Sequence, residues 1–165
     1  MAQTGSAVTK QTADMLRGQT GLAFSVAAAA SRADVKLETL EPEQVVAQNI
    51  GFETAERSAG AKYPSVYVYC EKLSNLQTEK FRTFSGKAKM VVDVRVSQDR
   101  LEEIQRRLEL YAEAVTDVLD AHRGNWGAGM FYGGGYEVTF NAIRHGGKNF
   151  MQTAKVTFDV DISLG

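Results

Sequence analysis

The chain has 165 residues, a formal net charge of −1 and one cysteine, Cys70. That length fits one domain able to bury a core without staples. The near-zero charge excludes a global pull toward nucleic acid or an anionic membrane. A lone cysteine excludes an internal disulfide and a multi-cysteine zinc site, and is compatible with a reducing compartment such as cytoplasm.

Residues 1–7 are small and polar and are expected to be mobile. From Val8 to about Ala33 the chain is Ala-rich, with Met15, Leu16, Leu22, Phe24 and Val26 spaced for a helix that can break at Gly18 and Gly21. No apolar run approaches the roughly 18 residues of a membrane span. The start of the chain lacks a charged segment followed by an apolar one, so no signal peptide is expected. Val45-Val46 and Ile50 suggest a short strand or helical turn; Glu53 to Lys62 reads as loop, stopped by Pro64. The N-terminal helical part thus spans 8–52 and a sheet-helix core 63–165, in one domain over 8–165.

The second half is clearer. Residues 65–71 alternate as a strand with both faces bulky: Val66, Val68 and Cys70 on one, Tyr67 and Tyr69 on the other. A polar connection, Lys72 to Ser85, leads to a strand opening at Gly86. Ala88, Met90, Val92, Val94 and Val96 share one of its faces. Asp99 with Glu102 resembles a capping box for a helix carrying Leu101, Ile104, Leu108, Tyr111, Ala112, Val115, Val118 and Leu119, ended by Gly124. A Gly-rich link (124–135) follows. Two strands close the chain, Tyr136 to Ala142 and Ala154 to Ile162, joined by a turn at His145 to Asn149. The expected fold is α+β: a mainly antiparallel or mixed four-stranded sheet, with the long helix and the N-terminal helix packed on one face.

Chemistry-bearing motifs fail on inspection. Gly146-Gly147-Lys148 is followed by Asn149 where a phosphate loop needs Ser or Thr, and Ala142 stands where it needs Gly. Gly127-Ala128-Gly129 lacks the third glycine of a dinucleotide fingerprint, since Tyr132 occupies that position. No Gly-x-Ser-x-Gly elbow is present. His122 suits the negative end of its helix, and Glu102-Glu103 suits a helix start. The sequence points away from an enzyme, with no catalytic residue, cofactor or metal site expected.

Two features exceed what a plain domain needs. The 72–86 connection carries Phe81 and Phe84 around Lys80 and Arg82, an aromatic and basic mixture that suits a protein interface. Those four residues, Lys80, Phe81, Arg82 and Phe84, are the candidate contact site; the alternative is that the rings fold back onto the core. Charge is also segregated. Residues 62–89 are rich in Lys and Arg, whereas 98–123 hold seven acids against four arginines. Opposite patches allow head-to-tail contacts, which close into rings when the rotation fits.

Over residues 45–165 the chain resembles the tail terminator (tail completion) proteins of long-tailed bacteriophages. The likeness rests on Tyr63-Pro64-Ser65-Val66-Tyr67-Val68 as entry strand, a long loop, the Gly86–Ser97 strand and the Leu101–Leu119 helix. It continues through the Gly-rich link to Val156-Thr157-Phe158-Asp159-Val160-Asp161-Ile162. The resemblance implies a virion structural protein of the tail or neck, assembled in the host cytoplasm. It implies a ring of identical subunits, usually a hexamer, that stops growth of the tail tube. The partners implied are the tail tube protein and a head-side connector or stopper, with DNA passing through the lumen without sequence-specific binding and no membrane involved. Alternative readings are another phage morphogenesis component (a head-completion or neck protein, or a tail tube subunit) and a small host ligand-binding or hydrolytic domain.

Overall fold

The computed structural model describes residues 3–57, 62–76, 80–146 and 148–165. Its elements, in chain order, are α1 (Thr4–Arg17), α2 (Leu22–Ala33), β1 (Val45–Val46), α3 (Phe52–Arg57), β2 (Ser65–Ser74) and β3 (Phe84–Gln98). They continue with α4 (Ile104–Ala121), β4 (Gly124–Gly127), β5 (Met130–Tyr132), β6 (Glu137–Phe140), β7 (Arg144–Gly146) and β8 (Asn149–Leu164). The fold is α+β, and the sheet is mixed. It has eight strands among the described residues, not four: the path runs β1-β2-β3-β8-β5-β4, and β6 and β7 also pair with β8. Among the described residues only β1 lies parallel to its neighbour.

The ribbon of β3 and β8 is the spine. The two strands pair antiparallel from Phe84 opposite Leu164 to Gln98 opposite Phe150. Strict alternation gives this ribbon one apolar face. Ala88, Met90, Val92 and Val94 of β3 and Ala154, Val156 and Val160 of β8 are fully buried there. The apolar stripe of α4 (Ile104, Leu108, Val115, Leu119) closes over them in one continuous cluster. Helix α1 contributes Val8 and Leu16 beside β2, while α2 packs chiefly on α4. Tyr111 reaches out of this core to donate to the Glu38 carbonyl at 2.8 Å, so the phenol is not left unpaired.

The structure corrects several boundaries. Helix α1 begins at Thr4, within the segment read as mobile, and Thr4 is buried; residues 1–2 lie outside the described ones. The N-terminal helical stretch breaks at 18–21, where the Leu16 carbonyl would sit 2.3 Å from any Cβ on Gly21. Part of the Glu53–Lys62 loop is the helix α3; residues 58–61 lie outside the described ones.

Strand β3 opens at Phe84, two residues before Gly86. Asp99 is not the cap of α4. That position falls to Glu103, with φ 64° and no side-chain cap bond, and Leu101 stays exposed. The approach is instead tied down by Gln98, whose amide donates to the Arg100 and Glu102 carbonyls.

The Gly-rich link is a hairpin, β4 to β5, turned by Gly127, Ala128 and Gly129, all at positive φ. Its aromatic content explains why it folds: Trp126, Tyr132 and Phe158 meet in tilted and edge-to-face pairs at centroid distances of 5.3–6.3 Å. The two final strands are three, because Asn141–Ile143 interrupts the first, and the predicted turn at 145–149 is the β7–β8 hairpin, with Gly147 outside the described residues.

Candidate protein interface at one end of the sheet

The β2–β3 connection is shorter than the sequence suggests. Both strands extend into it, leaving 75–83, of which 77–79 lie outside the described residues. Its base is anchored. The Ser85 amide donates to the Asn75 side-chain oxygen at 2.9 Å, and the Thr83 amide donates to the Leu164 carbonyl at 2.8 Å.

The four sequence-predicted residues part company here. Phe84 is 0% exposed and belongs to the core cluster, so it cannot offer its ring to a partner. Phe81 is 89% exposed. Its backbone sits at φ 73°, a conformation costly for a bulky residue, and the Lys80 ammonium lies 5.7 Å from its ring centroid. Lys80 and Arg82 are exposed beside it, and Arg82 runs close to the C-terminal Gly165.

Two further apolar side chains share this end of the sheet. Leu76 is 77% exposed and Phe131, on β5, is 50% exposed. They flank a groove of about 480 Å³ floored by Ser85–Lys87 and Asp161–Ser163. Sequence reasoning missed both, having read Leu76 as part of a polar connection and 124–135 as a Gly-rich link. A signal was present: Phe131 stands between Met130 and Tyr132, and alternation within a strand turns it away from the face they fill.

The charge segregation is partly offset in three dimensions. Arg32 of α2 pairs with Glu113 and Asp117 on α4 at 3.3 and 2.8 Å, and Arg123 pairs with Asp120 at 3.0 Å. On the basic side, Lys89 meets Glu71 at 3.1 Å and Lys87 meets Asp161 at 3.8 Å. These exposed pairs contribute little to stability, but Arg32 and Asp161 bring opposite charge onto the patches that the sequence set against each other. The apolar end is therefore the better candidate contact.

Among the described residues no three His, Cys, Asp or Glu side chains are grouped so as to hold a metal ion, and no helix is long and apolar enough to cross a membrane. His122 caps α4, its Nδ1 2.7 Å from the Val118 carbonyl oxygen. Burial pushes the Cys70 thiol above its ordinary pKa, which disfavours the thiolate. No family model and no curated protein sequence matches this chain.

Proposed function

We propose that this chain is a structural subunit that works by assembling with copies of itself into a ring, as a tail terminator does at the head–tail junction of a long-tailed phage. The observation that carries the reading is the exposed apolar end formed by Leu76, Phe81 and Phe131. Three large apolar side chains at the end of one sheet, with cations beside them, suit the centre of a protein contact better than solvent. The partner surface assigned to this end is the last ring of the tail tube, and the opposite end faces the head-side connector. The family resemblance supplies the ring and its place; the anchored, solvent-directed tip supplies a contact with suitable chemistry.

Native mass spectrometry of the purified protein, with negative-stain microscopy of particles assembled in the producing host, tests this. Closed rings, free or capping tails, are expected. A protein that stays monomeric in solution and is missing from the tail or neck overturns the reading.

A further inference from the structure

The outer face of the sheet carries a second site, remote in character from the apolar end. Register places Asp93 of β3 between Tyr67 of β2 and Lys155 of β8. Two residues along, Arg95 lies flat against Tyr67, its guanidinium carbon 4.2 Å from the ring centroid, with the Phe52 ring at 5.3 Å. Arg144 of β7 stands 5.6 Å from the same Phe52 ring. Phe52 thus joins the two guanidinium groups through one aromatic surface.

Asp93 and Arg95 are each 4% exposed, yet their hydrogen bonding is incomplete. Arg95 donates through Nε and Nη2 to a single carboxylate oxygen, Asp93 Oδ2, at 3.3 and 3.0 Å, and through Nη2 to the Ile50 carbonyl at 2.6 Å. Arg95 Nη1 and Asp93 Oδ1 are buried without a protein partner. Such a half-satisfied pair is costly unless something completes it. Both residues line a cavity of about 240 Å³, along with Arg144 and Lys155. Neither of these two cations forms an ion pair among the described residues. The residues lining the cavity therefore include three cations and one carboxylate, and two of them, Arg95 and Asp93, hold one orphan donor and one orphan acceptor.

We propose that this cavity binds a small protonated oxyanion of the hydrogen-phosphate type. Its oxygens accept from Arg95 Nη1, Arg144 and Lys155, in the charge-assisted geometry guanidinium groups favour. Its hydroxyl donates to Asp93 Oδ1. Sulfate, which has no proton to give at neutral pH, satisfies only the cations and is the weaker ligand.

The experiment is a titration of the whole chain with inorganic phosphate at about pH 7.5 and constant ionic strength, following the Arg95 Nε–H resonance and thermal stability. Saturable shifts and a rising Tm are expected, with sulfate roughly tenfold weaker for the missing hydrogen bond. The double variant Arg144→Gln, Lys155→Gln breaks no ion pair among the described residues, and its cooperative thermal unfolding without phosphate checks that it folds; it should lose phosphate binding by roughly tenfold or more. Lys10→Gln, on α1 and outside the cavity, should bind as the parent does. Phenyl phosphate at about pH 5, where a monoester largely keeps its proton, compared with inorganic phosphate at the same pH, separates the two sources of this chemistry. Affinity matching inorganic phosphate identifies a phosphomonoester on a larger molecule, and binding of inorganic phosphate alone identifies the free ion. No saturable response, sulfate equal to phosphate, or a double variant that binds like the parent overturns the proposal.

Discussion

Along β3, even-numbered and odd-numbered residues live in different solvents. Phe84, Ala88, Met90, Val92, Val94 and Val96 point at the helices and are all but fully buried. On the odd side, Lys87 and Lys89 are exposed and ion-paired, Val91 is buried, and Asp93 and Arg95 are buried as a pair. The inner face follows from alternation and area alone: every second side chain is apolar and one layer of helix covers it. On the outer face the segment through Ile50 and Phe52 crosses over Arg95, and there the chain buries an ion pair beside the Tyr67 and Phe52 rings. Burial of a salt bridge is weak evidence for stability. What the outer face gains from Asp93 and Arg95 is a defined arrangement of polar groups, whereas the inner face gains free energy.

Removing one side chain from each face tests that contrast. On the inner side, Phe84→Ala should destabilise the fold by about 4 kcal/mol, the cost of a large aromatic deleted from a packed core. Urea unfolding measures it; a loss under about 1 kcal/mol would mean the ring is not held in the core. On the outer side, Asp93→Asn should cost about 3 kcal/mol, because Arg95 keeps its charge and loses its counter-ion. The sharper experiment replaces both, Asp93→Leu with Arg95→Met. If the pair confers specificity more than stability, the double variant should recover to within about 1 kcal/mol of the parent. Failure to recover would show that the ion pair is stabilising in its own right. The Asp93 carboxyl itself is raised above its ordinary pKa, burial outweighing the pull of Arg95 and Lys155. A raised carboxyl adds stability below its unfolded pKa and loses it as pH rises through the folded value. Asp93→Asn should therefore remove that fall, so its stability deficit relative to the parent is largest at acid pH and shrinks as pH rises through the folded value.

A smaller effect belongs to the place where the two faces meet the tip. Gly86 is in phase with the inner face, but an ideal Cβ there would fall 1.7 Å from the Ser74 carbonyl oxygen. Backbone cannot yield as a side-chain end can, so Gly86→Ala should cost about 2 kcal/mol through overpacking. Differential scanning calorimetry reads this as a lowered Tm. An unchanged Tm would mean that β2 does not press on β3 at this point.

Much of this fold was legible, and the misses have specific causes. The β3 and β8 spine, the α4 stripe and the break near Gly18 and Gly21 all follow from periodicity. The error at Phe84 was one of phase. Positions 84, 86, 88, 90 and onward share parity, so Phe84 belongs with Ala88 and Met90, but Gly86 interrupted the apolar run and hid the continuity. The β4–β5 hairpin was hidden by its glycines, although Trp126, Met130 and Tyr132 carried its core-facing signal. The eight-strand count was out of reach for a different reason. β1 and β7 have two and three residues and exist because longer neighbours offer them an edge. The buried Asp93–Arg95 pair was likewise invisible, since alternation marks those positions as outward and only the crossing of residues 50–52 buries them.

The smallest expected effect on stability belongs to Phe81, and it bears most directly on function. Phe84 and Phe81 are three residues apart, yet one ring is in the core and the other in water. A fully exposed ring contributes almost nothing to the isolated fold, so Phe81→Ser should change stability by less than about 0.5 kcal/mol. Its unfavourable φ even leaves room for a slight gain, because a smaller residue tolerates the left-handed region better than Phe does. At a partner surface the same ring could contribute about 1.5–3 kcal/mol on burial, with Lys80 and Arg82 steering the approach. The variant should therefore fold like the parent and fail in assembly, giving unjoined or abnormally long tails in a complementation assay. Pairing it with Leu76→Ser and Phe131→Ser should deepen the defect stepwise if the three side chains form one contact, and the combined binding loss should fall short of the sum of the single losses if they pack on one another. A triple variant that folds and complements fully would remove this end of the sheet from the proposed assembly contacts.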